Sequence, residues 1–227
     1  MLLCGGFMTK RTNKRQEQAV STKAALFESA ITLFNEKGYN TVTIEDIAQR
    51  AGTAKGSFYT YFRTKSDIII EEFRAIDDYY KRFEKTLSRY PNALEKIYAF
   101  NKAQMKYVRD QVGLDMLKIL YSNNIIEPST EKILIDTNRY LHGFIRGLIE
   151  EGQREGIFRT DVSADRLALL YTRGHRAVFL DWAISNNAFD LVKDGIEFCK
   201  VIMCPALMTK DTPVPRSRNE PSPASAG

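Results

Sequence analysis

Apolar residues recur three and four apart along almost the whole chain, and no stretch alternates polar and apolar as a strand does. Ala24, Phe27, Ala30, Ile31 and Phe34 define one face of a helix that Gly38 stops. Thr43-Ile-Glu-Asp46 has the form of a capping box, in which the threonine takes an orphan backbone N–H and the acid reaches back. It opens a short helix over 44–50, with Ile44, Ile47 and Ala48 facing inward. Ala51-Gly52-Thr53 breaks that helix, and the pattern restarts over 54–61 with Phe58 and Phe62 as anchors of its inner face. Thr64-Lys-Ser-Asp67 is a second capping-box pattern. The long helix it opens carries Ile69, Phe73, Ile76, Tyr80, Phe83 and Leu87 as one seam. Beyond Pro91, helices are expected over 92–110, 113–122, 129–152, 164–185 and 188–204, with Ser163 and Asn187 placed to cap the last two.

The pattern predicts an all-α chain in four parts. Residues 1–20, with Lys10, Arg11, Lys14 and Arg15, read as a flexible basic arm, and 21–66 as a three-helix domain containing a helix-turn-helix. Residues 67–205 form a larger helical domain, and 206–227, rich in Pro, Ser and Thr, a disordered tail.

Composition narrows the function. At 227 residues, 44% apolar and 27% charged, the chain is that of a globular protein with a real core. No apolar run reaches the roughly 18 residues of a membrane span. Three cysteines (Cys4, Cys199, Cys204) are too few and too badly spaced for a disulfide framework or a zinc cluster, and a reducing cytoplasm is the expected setting. The net charge of +5 lies entirely in residues 1–66, where ten Lys/Arg face five Asp/Glu; residues 67–227 carry twenty-three of each. Only the N-terminal third is thus suited to meet a polyanion. Its second short helix exposes Lys55, Ser57, Tyr59, Thr60 and Tyr61, all hydrogen-bonding groups, while Gly56 allows a close backbone approach.

These residues carry a resemblance. From Ala24 to Ile68 the chain resembles, without a gap, the DNA-binding domain of the TetR family of transcriptional regulators. The match runs through Glu36-Lys-Gly-Tyr39, Thr43-Ile-Glu-Asp-Ile-Ala48, Lys55-Gly-Ser-Phe-Tyr-Thr-Tyr-Phe62 and Lys65-Ser-Asp67. A weaker echo spans Glu151-Gly-Gln153 and Gly156-Ile-Phe-Arg-Thr-Asp161. The resemblance implies a homodimer binding a palindromic operator on double-stranded DNA, with a larger C-terminal domain that binds a small-molecule effector and dimerises. Such a protein is most often a repressor released by its effector. Carried over position by position, Thr43 and Lys65 would meet phosphate, and Thr53, Lys55, Gly56, Ser57, Tyr59, Thr60 and Tyr61 would line the groove, with Lys55 and Thr60 the candidates for reading bases. Tyr61 stands where the family often has histidine and Ala54 where it often has serine.

For the effector, Tyr107, Tyr121, Tyr140, His142, Phe144, Tyr171, His175 and Trp182 are the candidate lining residues, aromatic walls with a few polar groups. For the dimer, Leu167, Leu170, Val178, Leu191, Gly195, Phe198 and Ile202 are the candidates, from the last two long helices. The competing reading is a small all-helical enzyme. Two isolated histidines supply no metal site, no glycine-rich phosphate loop follows a strand, and no nucleophile elbow is present, so no catalytic residue and no cofactor is expected. A redox-responsive regulator using Cys199 and Cys204 is a further alternative. Five apart on an α-helix, these residues face different ways, and a bond between them would require the turn to unwind.

Overall fold

The computed structural model describes residues 7–126 and 131–209, with side chains from residue 16 onward. Its elements are α1 (Phe7–Lys37), α2 (Ile44–Arg50), α3 (Lys55–Tyr61), α4 (Lys65–Glu84), α5 (Ala93–Tyr107), α6 (Leu114–Ile126), α7 (Tyr140–Arg154), α8 (Ala164–Ile184), α9 (Leu191–Phe198) and α10 (Cys204–Leu207). Two π-helical turns, Val108–Val112 and Cys199–Met203, continue α5 and α9. Among the described residues there is no strand, only an isolated antiparallel bridge between Phe158 and Met208. No described helix is long and apolar enough to cross a membrane. The all-α expectation is met.

The chain divides into two compact units, Met1–Asp78 with Asp115–Ile135, and Tyr79–Leu114 with Asp136–Gly227. In the first, α1 packs on α2 and α3. The buried face of α1 is Leu26, Ala30, Leu33 and Phe34, rotated from the expected one: Ala24 is exposed and Phe27 and Ile31 only half-buried. Both stripes have helical spacing, and only the neighbours decide between them. Helix α1 also begins at Phe7, inside the stretch expected to be a flexible arm. No Pro or Gly interrupts 7–37, so nothing in the sequence stops the helix growing backwards. Cys4 and residues 210–227 lie outside the described residues, as do the side chains of Lys10, Arg11, Lys14 and Arg15.

The first capping box forms as expected. The Thr43 hydroxyl accepts from the Asp46 N–H at 3.1 Å, and the Thr43 N–H donates to the Asp46 carboxylate at 2.8 Å. The second differs, since Asp67 Oδ2 accepts from the backbone N–H of Arg63 at 2.8 Å, one residue further back than a capping box reaches.

In the second unit α5 packs on α7 and α9, and α8 on α7 and α9. Helix α7 starts at Tyr140, not near 129, because Asp136, Thr137 and Asn138 make a turn in which the Asn138 N–H donates to Asp136 Oδ1 at 2.8 Å. Ser163 caps α8 as expected. Asn187 does not cap α9; with Asn186 it takes a left-handed conformation (φ 59° and 56°) that ends α8, and Asp190 caps α9 by accepting from Val192 and Lys193. The final helix is broken by its π turn, which places Cys199 Sγ 3.5 Å from Cys204 Sγ and overturns the expectation that they face apart.

Candidate nucleic-acid interface

The α2–α3 pair is held as a helix-turn-helix by backbone geometry and two aromatic anchors. Gly52 takes φ +65°, which L side chains rarely adopt, so the chain can turn while the Thr53 N–H donates back to the Ala48 carbonyl at 2.9 Å. Phe58 and Phe62 are almost wholly buried, with ring centroids 5.5 Å apart. A seven-residue helix is too short to persist alone, so these anchors position its outer face. Its N-cap residue, Ala54, makes no side-chain capping hydrogen bond.

The outer face carries most of the expected groups. Lys55, Gly56, Tyr59 and Thr60 are exposed, Ser57 and Tyr61 half-buried, and Gly56 has nothing within 4 Å of where a Cβ would stand. Thr43 is exposed at the α2 N-terminus, its hydroxyl donating to Asp46 Oδ2 at 2.6 Å. Lys55 is ion-paired with Glu45 on α2. The pairing hydrogen bond holds the Glu45 carboxyl below its usual range and raises the Lys55 ammonium. A phosphate or base edge would therefore take Lys55 in exchange for Glu45.

Two residues are placed otherwise. The Thr53 hydroxyl is buried and has no hydrogen-bond partner. The Lys65 ammonium donates to the Tyr39 carbonyl at 2.8 Å and the Val42 carbonyl at 2.6 Å and lies 4.6 Å over the Tyr39 ring. Partial burial pushes its pKa down. It clamps the α1–α2 loop to the start of α4 and is not a free cation offered to phosphate. Sequence spacing places a lysine beside a helix start in either case; only the loop's path shows which acceptor it meets.

In the second unit, Phe144, Tyr171, His175 and Trp182 are buried, His142 is buried with its Nε2 3.0 Å from Asp165 Oδ1, and Tyr107 and Tyr140 are half-buried. Tyr121, on α6, belongs to the first unit. The most informative polar residues are ones the sequence reading missed, Asn101 and Gln104 on α5. Asn101 Nδ2 lies 2.7 Å from His175 Nε2, and Gln104 Nε2 donates to the Tyr80 hydroxyl at 2.8 Å. All three side chains are at most 2% exposed, yet Gln104 Oε1 and His175 Nδ1 have no partner. Such orphans are rare in a packed core. The signal was available, since Asn101 and Gln104 interrupt the stripe of Leu94, Ile97, Phe100 and Met105. Burial holds His175 neutral, its pKa lowered to about 3.

Of the residues expected at a dimer interface, Leu167, Val178, Leu191 and Gly195 are buried within the protomer itself. Phe198 is half-buried, while Leu170 and Ile202 are exposed. Each helix has two apolar faces, and the periodicity does not say which turns inward. Val201 and Ile184 are also exposed, and Val178, Phe189, Phe198, Val201 and Ile202 line an open groove with Asp181, Asp194 and Glu197.

The family model described as bacterial regulatory proteins, tetR family, matches residues 22–71. The chain is similar to the transcriptional repressor KstR2 of Mycobacterium tuberculosis, 22% identical over 187 residues, covering 82% of this chain and 93% of that protein. It is similar to the fatty acid metabolism regulator protein of Bacillus subtilis, 25% identical over 172 residues, covering 74% and 86%. Among solved structures, FadR of Thermus thermophilus, a TetR-family repressor in complex with lauroyl-CoA, aligns with a TM-score of 0.69 at 17% identity over 86% of this chain and all of that one.

Proposed function

We propose that this chain is a member of the tetR family of bacterial regulatory proteins, whose model matches residues 22–71, and that it is a ligand-responsive transcriptional repressor that binds a palindromic operator as a homodimer. The observation that carries this reading is the outer face of α3, where Lys55, Ser57, Tyr59, Thr60 and Tyr61 surround a glycine with open space in front of it. Two such helices, one per protomer, would enter successive major grooves about 34–36 Å apart. Thr43 would position the domain on phosphate, while Lys55 and Thr60 read base edges.

The effector reading is supported by the orphan atoms between α5 and α8. With Asn101 donating to His175 Nε2, the ring carries its proton on Nδ1, which is left as a donor, and Gln104 Oε1 is left as an acceptor. The neutral histidine offers no charge to a carboxylate. The buried end of the effector is therefore uncharged, mostly apolar, and bears a carbonyl or hydroxyl. The lauroyl-CoA bound by the Thermus protein is of this class only through its thioester carbonyl, which could accept from His175 Nδ1; a hydroxyl could serve both orphan atoms.

The test is a footprint of the purified protein on DNA flanking its own gene, at roughly physiological salt. The expected result is a two-fold symmetric protected stretch of about two helical turns, lost on adding the effector. Failure of random-sequence selection to enrich any palindrome, after bound ligand has been stripped, would sink the reading.

A further inference from the structure

Independently of operator recognition, the end of the second unit holds a thiol pair with a geometry of its own. The backbone N–H of Cys204 donates to the Cys199 carbonyl, closing a π turn between these two residues. On an α-helix, residues five apart have Cα atoms roughly 8–9 Å from each other. That exceeds the span of about 7 Å that a disulfide can bridge. The i→i+5 hydrogen bond folds the second cysteine back over the first and brings the sulfurs to 3.5 Å. Both residues are 0% exposed. The Tyr171 hydroxyl on α8 lies 3.9 Å from Cys199 Sγ.

We infer that Cys199 and Cys204 are an oxidation site, a dithiol that a small uncharged hydroperoxide converts to an intrahelical disulfide. The Cys199 thiolate attacks the outer peroxide oxygen; the O–O bond breaks, and the alcohol, or water from hydrogen peroxide, leaves with the Cys199 proton. The Cys204 sulfur then attacks Cys199, the S–O bond breaks, and hydroxide leaves as water with the Cys204 proton. The sulfur pair loses two electrons and the peroxide gains them.

The assignment of attacking and resolving thiols follows from the hydrogen bonds. Donation from Cys204, and then from Tyr171, favours the Cys199 thiolate and lowers its pKa despite burial. The bond to Cys199 holds the proton on Cys204 and raises its pKa, burial adding to the effect. Because both thiols are buried, the oxidant that reaches them must be small and uncharged. The new S–S bond removes the thiol partner of Tyr171, whose ring packs edge-on against His175 with centroids 4.5 Å apart.

The test uses the full-length chain carrying Cys4→Ser, reduced and then exposed to hydrogen peroxide, followed by alkylation under denaturing conditions and peptide mass mapping. The expected product joins the Cys199 and Cys204 peptides of one chain, about 2 Da lighter and restored by a thiol reductant. In Cys204→Ser the intermediate should instead persist as a dimedone-reactive sulfenic acid on Cys199. Full alkylation of both thiols, under an exposure that oxidises a small dithiol in the same solution, would overturn the inference. So would conversion of Cys199 to the sulfinic acid with Cys204 left free. If Cys204→Ser does not fold, the joined peptide alone decides.

Discussion

At the scale of single residues, Lys65 ties the loop before α2 to the start of α4. Its place beside a helix N-terminus suggests a phosphate contact, but its ammonium is spent on two carbonyls of the loop before α2. Lys65→Ala should therefore lower unfolding stability by about 1–3 kcal/mol, the scale of losing charge-assisted hydrogen bonds. The salt dependence of DNA binding should be unchanged. Denaturant titration and binding at several salt concentrations separate the two roles: a shallower salt slope with no stability loss would restore the phosphate contact. Thr53 teaches the same lesson, its hydroxyl turned inside. The residues whose exposure was legible in the sequence, Lys55, Tyr59 and Thr60, sit on a helix whose inner face is fixed by Phe58 and Phe62, so periodicity alone set their direction. Lys65 and Thr53 sit at element ends, where orientation depends on contacts that no local pattern encodes.

At the scale of elements, helix existence was legible and helix ends were not. The stops that succeeded had a specific cause, such as Gly38, or a complete capping box, as at Thr43. The misplaced starts, at α7 and α9, came from competing polar residues: the Asp190 carboxylate caps α9 by accepting from two backbone N–H groups, while Asn187 takes a left-handed backbone instead. Helix α3 offers a direct experiment, because its N-cap Ala54 lacks a side-chain oxygen. Ala54→Ser should supply one and stabilise the protein by about 0.5–2 kcal/mol, seen as a higher denaturation midpoint with an unchanged slope. An unchanged midpoint would mean that the first turn of α3 gains nothing from a serine hydroxyl.

For the whole molecule, the sequence separates its charge by segment. The excess of basic residues and the exposed polar face of α3 share the first 66 positions. The orphan polar atoms of Gln104 and His175, the paired thiols and the open groove all belong to the second unit. Self-association should run through that groove, where Val201 and Ile202 are 61% and 54% exposed. Ile202→Asp should shift the protein from dimer to monomer in light scattering at micromolar concentration, with little change in far-UV circular dichroism. A dimer that survives Ile202→Asp and Val201→Asp together would place the interface elsewhere. Of the residues expected at a dimer surface, Leu167, Leu191 and Gly195 are already used inside the protomer, while Leu170 and Ile202 remain exposed.

The π turn at Cys199–Met203 also has a meaning for the chain's length. A π turn is an α-helix holding one residue too many, the surplus bulging outward so that the flanking residues keep their faces. Here Lys200, Val201 and Ile202 form the exposed side, while Cys199 and Met203 stay buried. Removing one of the exposed three would return the helix to regular winding without rotating what precedes or follows it. The reading frame of the core would be preserved and the thiols would be left one α-turn apart. This stretch is therefore a natural position for a one-residue difference between otherwise similar chains, and an alignment that places its gap elsewhere in this helix would mis-pair its buried residues.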